Sequence, residues 1–147
     1  MKIDREKIQK YLLEIKARHR EIEELLQKST DKEILKEQWV IKGLKYTLIE
    51  IAEAMANILQ HIIAKDIGEP VTGYVDTIIR AGQTNILSET LVKKLKPFFD
   101  FRNSLIHRYW FISDEKILSL VRENQTDFLS FIEEIENYIK NRINPLL

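Results

Sequence analysis

Between Lys32 and Lys65 the chain has no proline, and Leu35, Trp39, Leu44, Leu48, Ile51, Ala52, Met55, Ile58, Leu59 and Ile62 recur at three- and four-residue steps. That period belongs to a helix; successive strand side chains point to opposite faces and cannot use it. A chain built around so long an amphipathic helix has to cover the apolar face with further helices. The same period runs through residues 3–27, where Ile8, Tyr11, Leu12, Ile15, Ile22, Leu25 and Leu26 are separated by charged residues. Thr30 with Glu33 makes a capping-box pattern that opens the second helix, expected over about 32–65. Gly68 and Pro70 end it, and Ala52, Ala54 and Ala56 are small enough to admit a neighbouring helix closely.

Three of the four glycines fall between residues 68 and 88, which reads as a loop, a short helix near 74–81 and another turn. Ser88 can cap a helix starting at Glu89 or Thr90. Pro97 lacks the N–H that a helix interior needs, so a kink or restart is expected around 95–97, with a new segment from 97 to about 108. Ser113 and Asp114 cap a last helix over about 114–142, bent at Asn124-Gln125-Thr126 and stopped by Asn144-Pro145. Five helical regions without a period-two segment predict an all-α, up-and-down bundle, one domain over 1–147.

The 23 basic and 23 acidic residues cancel, which argues against a protein that coats or packages nucleic acid. With no cysteine, disulfides and thiolate metal sites are excluded. The charged start, Met1-Lys2-Ile3-Asp4-Arg5-Glu6, lacks the apolar core of a signal peptide, and no apolar run approaches the ~20 residues of a membrane span. A cytoplasmic location without membrane contact is the expectation.

Chemistry concentrates in Phe101-Arg102-Asn103-Ser104-Leu105-Ile106-His107-Arg108-Tyr109-Trp110, which holds two of eight arginines, one of three histidines and one of five tyrosines. Arginine is a fixed two-pronged cation, histidine carries protons near neutral pH and tyrosine offers a hydroxyl. Residues 91–110 carry a net charge of +4 and residues 111–147 a net −3, so the positive field lies where these groups lie. On one straight helix Arg102 and Tyr109 share a face, whereas Arg102 and His107 diverge by about 140°. They converge if the helix loosens near His107 or, the favoured arrangement, if two copies meet about a two-fold axis. A structural reading stands beside the catalytic one and outweighs it on physics alone: His107 as a helix C-terminal cap, Arg102 as a surface or dimer ion pair.

Arg102-x4-His107-x-Tyr109 resembles the Arg-x4-His-x-Tyr motif of the HEPN superfamily, specifically the HepT toxins of HepT/MntA toxin–antitoxin pairs. The likeness extends to Glu50-Ile51-Ala52-Glu53-Ala54 and His61-Ile62 on the second helix, Pro70, the Gly82 turn and Leu95-x-Pro97-x-x-x-Phe101. It covers about residues 1–142. The resemblance implies a metal-independent ribonuclease acting as a homodimer, without a cofactor, with the motif lining a cleft between protomers. It also implies a minimal nucleotidyltransferase antitoxin of the MntA type, which silences the toxin by adenylylation. Carried over, Arg102 and His107 are catalytic, Tyr109 is the modified hydroxyl and Asn103 matches the polar residue that often follows the arginine. An RNA-binding part for Arg108 is our own addition, and Glu50 and Glu53 have no assigned role. The competing reading is a non-catalytic nucleotide- or substrate-binding subunit of a two-component nucleotidyltransferase; a third is a purely oligomerising bundle.

The remaining candidates read as structural. His19, among Arg18, Arg20 and Glu21, is expected on a solvated face, and His61 in the core or an interface. Neither makes a metal-ligand spacing with the other or with His107. Trp39, Phe98, Phe99 and Phe101 are expected as core or dimer contacts, and so is Trp110, although a base-stacking part is kept open for it.

Overall fold

The computed structural model describes residues 3–107 and 113–143, with side chains described except at 103–107 and 143. The described residues form α1 (Arg5–Lys28), α2 (Asp31–Lys36), α3 (Gln38–Ile62), α4 (Gly73–Gln83), α5 (Glu89–His107), α6 (Asp114–Asn124) and α7 (Asp127–Ile143). They contain no strand, and no helix among them is long and apolar enough to cross a membrane. The all-helical expectation holds; the expected five helical regions become seven helices.

α3 is the axis. It packs on α1, α2, α4 and α5, while α7 closes against α1 and α5. Ala52 and Ala56 are fully buried on it, alongside Ile51, Met55, Ile58 and Leu59. Five-residue hydrogen bonding widens its last turn at Ile63–Ile67, and Gly68 ends it in the left-handed conformation at φ 79°, its N–H donating to the Ile63 carbonyl at 2.8 Å. On this widened turn Asp66 accepts from the Tyr138 hydroxyl and pairs with Arg142 at 3.1 Å, which fastens α7 to the end of α3.

Three of the expected boundaries move. The second helix is two, α2 and α3, because Glu37 is extended (φ −100°, ψ 102°). α2 leans on α6, where Arg122 binds the Asp31 carboxylate and donates to the carbonyls of Leu26 at 3.3 Å and Ser29 at 3.1 Å. No local breaker encodes that step. Pro97, by contrast, neither restarts nor ends its helix; α5 runs through it unbroken. Proline in a helix costs about 3 kcal/mol. Leu95, Phe98, Phe99 and Phe101 are buried on either side, and each such side chain returns about 1.5–3 kcal/mol, so packing wins. The last helix is likewise two, separated by a turn at Gln125–Thr126 rather than merely bent there.

His19 is only 5% exposed: its Nε2 meets the Gln125 side chain, and its ring stands edge-on to Phe128. The expected solvated face is therefore wrong, because α1 turns this residue toward the α6–α7 turn. Trp39 departs in the opposite sense. It is 81% exposed, beneath the Lys42 ammonium at 4.9 Å, and is not a core residue. Phe98, Phe99 and Phe101 are buried as expected.

Candidate active site around Arg102

The buried aromatic turn Phe98-Phe99-x-Phe101 anchors α5 and sets where the next residue emerges. Arg102 reaches from there across to α3 and α4. Its Nη2 pairs with Glu53 Oε1 at 3.0 Å and donates to the Tyr74 hydroxyl at 2.8 Å. The guanidinium carbon lies 3.6 Å from the centre of the Tyr74 ring, a cation–π stack. The side chain is only 13% exposed, and its Nε is buried without a hydrogen-bond partner among the described residues. A guanidinium held on one corner by a carboxylate and a phenol, and on one face by a ring, has little freedom left.

Both partners are themselves fixed. Glu53 stands on the well-packed middle of α3, one turn beyond Glu50. Burial pushes the Glu50 carboxyl above the usual glutamate range, and the Arg18 guanidinium, 3.5 Å away, opposes that shift. Tyr74 stands at the start of α4, where Gly73 has φ 82° and takes a backbone shape that a side chain would strain. The Thr77 hydroxyl donates to the Gly73 carbonyl at 2.6 Å and accepts from Gln60 of α3 at 3.3 Å, and the Thr72 N–H donates to Asp76 at 3.0 Å. At the other end of α4, a Cβ on Gly82 would come within 3.1 Å of Val92 Cγ2, so α4 and α5 approach closely there.

Of the residues singled out in the sequence, Arg102 is partly buried and paired as described. His107 is the last residue of α5, five positions on, and Asn103 lies between them. Both belong to the helix by their backbone, and their side chains lie outside the description. Arg108, Tyr109 and Trp110 lie outside the described residues. His61 is half-buried on α3, and its Nε2 accepts the Asp4 backbone N–H at 2.9 Å. Among the described residues no group of three His, Asp or Glu side chains is arranged to hold a metal ion. Tyr74 carries no signal in the sequence. It lies far from the motif in sequence and no local pattern marks it; only the packing of α4 against α5 brings it to Arg102.

Several solved structures share this helical frame. A tri-AMPylated Shewanella oneidensis HEPN toxin in complex with MNT antitoxin superposes with a TM-score of 0.82 at 19% identity, covering 91% of this chain and 99% of that one. YutE of Bacillus subtilis, described as a cytosolic protein of unknown function, does so with 0.80 at 18% identity, over 95% and 93%. At these identities the likeness defines the fold, which is of the HEPN type. A relative from Archaeoglobus fulgidus named "Putative RNase" is 30% identical over 105 residues, 71% of this chain and 78% of its own. The profile of the family described as Ribonuclease HepT-like matches residues 15–135, and the chain belongs to that family.

Proposed function

We propose that this chain is the toxin of a HEPN/MNT toxin–antitoxin pair: a metal-independent endoribonuclease, cytoplasmic and dimeric, silenced by adenylylation of Tyr109. The observation that carries the reading is the arrested guanidinium of Arg102, a preorganised cation on the helix that also bears His107. The family's description as ribonucleases supports the same chemistry.

Without a metal, cleavage needs the 2′-hydroxyl deprotonated, the 5′-oxygen protonated on leaving and the charge on phosphorus held. His107 serves as general acid or base, a contribution of ~10²–10⁴-fold. Arg102 holds the phosphate oxygens as charge develops. Because its Nη2 is engaged by Glu53 and Tyr74 and its Nε is buried, the phosphate meets the Nη1 edge rather than a two-pronged fork. The ~140° between Arg102 and His107 on one helix favours a two-fold homodimer, in which residues of both copies face one cleft. Asn103 and Arg108 support the RNA strand.

For regulation, the Tyr109 hydroxyl attacks the α-phosphate of ATP on a MntA-type nucleotidyltransferase; the phenolic proton is lost and pyrophosphate leaves. The adenylate places a negative charge and bulk beside the motif, where it competes for Arg102. The similar Shewanella oneidensis structure, a tri-AMPylated HEPN toxin in complex with MNT antitoxin, supports such a partner. The test is digestion of RNA in EDTA by purified wild type and His107→Ala, with intact mass after co-expression with the nucleotidyltransferase. Wild type cuts, His107→Ala does not, and adenylate-sized increments vanish in Tyr109→Phe. Binding of nucleotide without any cutting would favour the non-catalytic subunit instead.

A further inference from the structure

We propose that Tyr74 is a second phosphate-binding residue of this site, its hydroxyl donating to the phosphodiester that Arg102 holds; the assignment rests on the ribonuclease reading above. The direction of one hydrogen bond carries it. A guanidinium has no acceptor, so the 2.8 Å contact is Nη2 donating into a lone pair of the phenol oxygen. The hydroxyl's own proton is unused by that bond, and among the described residues the hydroxyl has no other hydrogen-bond partner. An O–H whose oxygen already accepts from a cation is polarised and donates more strongly.

Geometry places this spare donor where a phosphate would come. Nη1 and Nη2 share one carbon, and Nη2 carries both Glu53 and Tyr74. The hydroxyl therefore lies at the terminal nitrogens of the guanidinium, beside Nη1, which no hydrogen bond among the described residues engages, and the Tyr74 ring lies against the guanidinium at 3.6 Å. Tyr74 itself is half-buried, with the body of its ring on the core. Arg102 would supply the permanent charge and Tyr74 a neutral donor, so two oxygens of one phosphate are met without a second cation. The function is distinct from that of Tyr109, and no proton is transferred.

The test separates the donor from the shelf. Tyr74→Phe keeps the ring and removes the hydroxyl, whereas Tyr74→Leu removes both. Two quantities are read for each variant: kcat/KM on RNA, and affinity for a uniformly 2′-O-methylated RNA pool that cannot be cut. A hydrogen bond to a charged group is worth roughly ten- to a hundredfold, so Tyr74→Phe should lose that factor in kcat/KM, bind the methylated pool more weakly and melt at the wild-type temperature. A Tyr74→Phe protein equal to wild type in both quantities, with only Tyr74→Leu impaired, would reduce Tyr74 to a shelf and overturn the proposal. Wild type that fails to cut RNA, while Tyr74→Phe still weakens binding of the methylated pool, would sink the ribonuclease reading and leave Tyr74 as a phosphate ligand.

Discussion

Glu53 on α3 and Arg102 on α5, separated by 49 positions in sequence, form an ion pair 3.0 Å long at the centre of the candidate site. Glu53 is 42% exposed, so solvent screens the pair and its share of stability is at most about 1 kcal/mol. In the proposed mechanism its value is positional: it holds Nη2, together with Tyr74, and leaves Nη1 for substrate. Glu53→Gln should therefore shift the melting temperature by no more than about 2–4 °C while slowing RNA cleavage roughly tenfold, as a loosened Arg102 samples unproductive poses. Unchanged kcat in a folded Glu53→Gln protein would show that the pair does not position Arg102.

His61 makes stability depend on pH. The Asp4 N–H donates to Nε2, so the ring is neutral with its proton on Nδ1. Burial, first, and then Lys7 hold its pKa below the ordinary histidine value of 6.5; Asp4 pulls the other way, and Lys65 adds the weakest lowering. The unfolded chain binds the proton more readily. The contribution is thus complete above 6.5 and is lost as pH falls below it toward the folded value. Thermal melts of wild type and His61→Gln between pH 8 and 5 check this. The difference in stability between them should shrink on acidification, and a difference that grows would reverse the sign.

Gly82 lets α4 and α5 approach closely at Val92, and the same two helices carry Tyr74 and Arg102. Alanine there should be close to neutral, because the helix gains about 1 kcal/mol over glycine while Val92 must yield slightly to a Cβ 3.1 Å away. Gly82→Val has no such room. It should cost about 1–3 kcal/mol by overpacking and weaken cleavage more than its loss of stability explains. Equal melting temperatures for glycine, alanine and valine at this position would mean the two helices are not in register-defining contact.

Local signals in the sequence predict the structure where neighbours along the chain decide the outcome. The Thr30–Glu33 capping box closes in both directions, at 3.2 and 3.0 Å, and Ser113 caps α6 through the Lys116 N–H at 3.2 Å. Gly68 ends the long helix as its position promised, and the 74–81 helix appears as Gly73–Gln83. Signals failed where distant segments decide. The restart expected at Pro97 is overruled by four buried side chains, Glu37 is extended because α2 docks on α6, and His19 is drawn inward by Gln125. For the site, the motif marked Arg102, whose partners Glu53 and Tyr74 only the packing of three helices brings together. Glu53 carries no role that the sequence alone assigns, and no local pattern marks Tyr74.

The most direct measurement of the central claim is the chemistry of the cut ends. RNA incubated with the purified protein in EDTA should yield fragments with a 2′,3′-cyclic phosphate and a 5′-hydroxyl, and Arg102→Ala and His107→Ala should each abolish them. Fragments bearing a 5′-phosphate, or cleavage that survives His107→Ala, would contradict attack by the 2′-hydroxyl at a site built on Arg102 and His107.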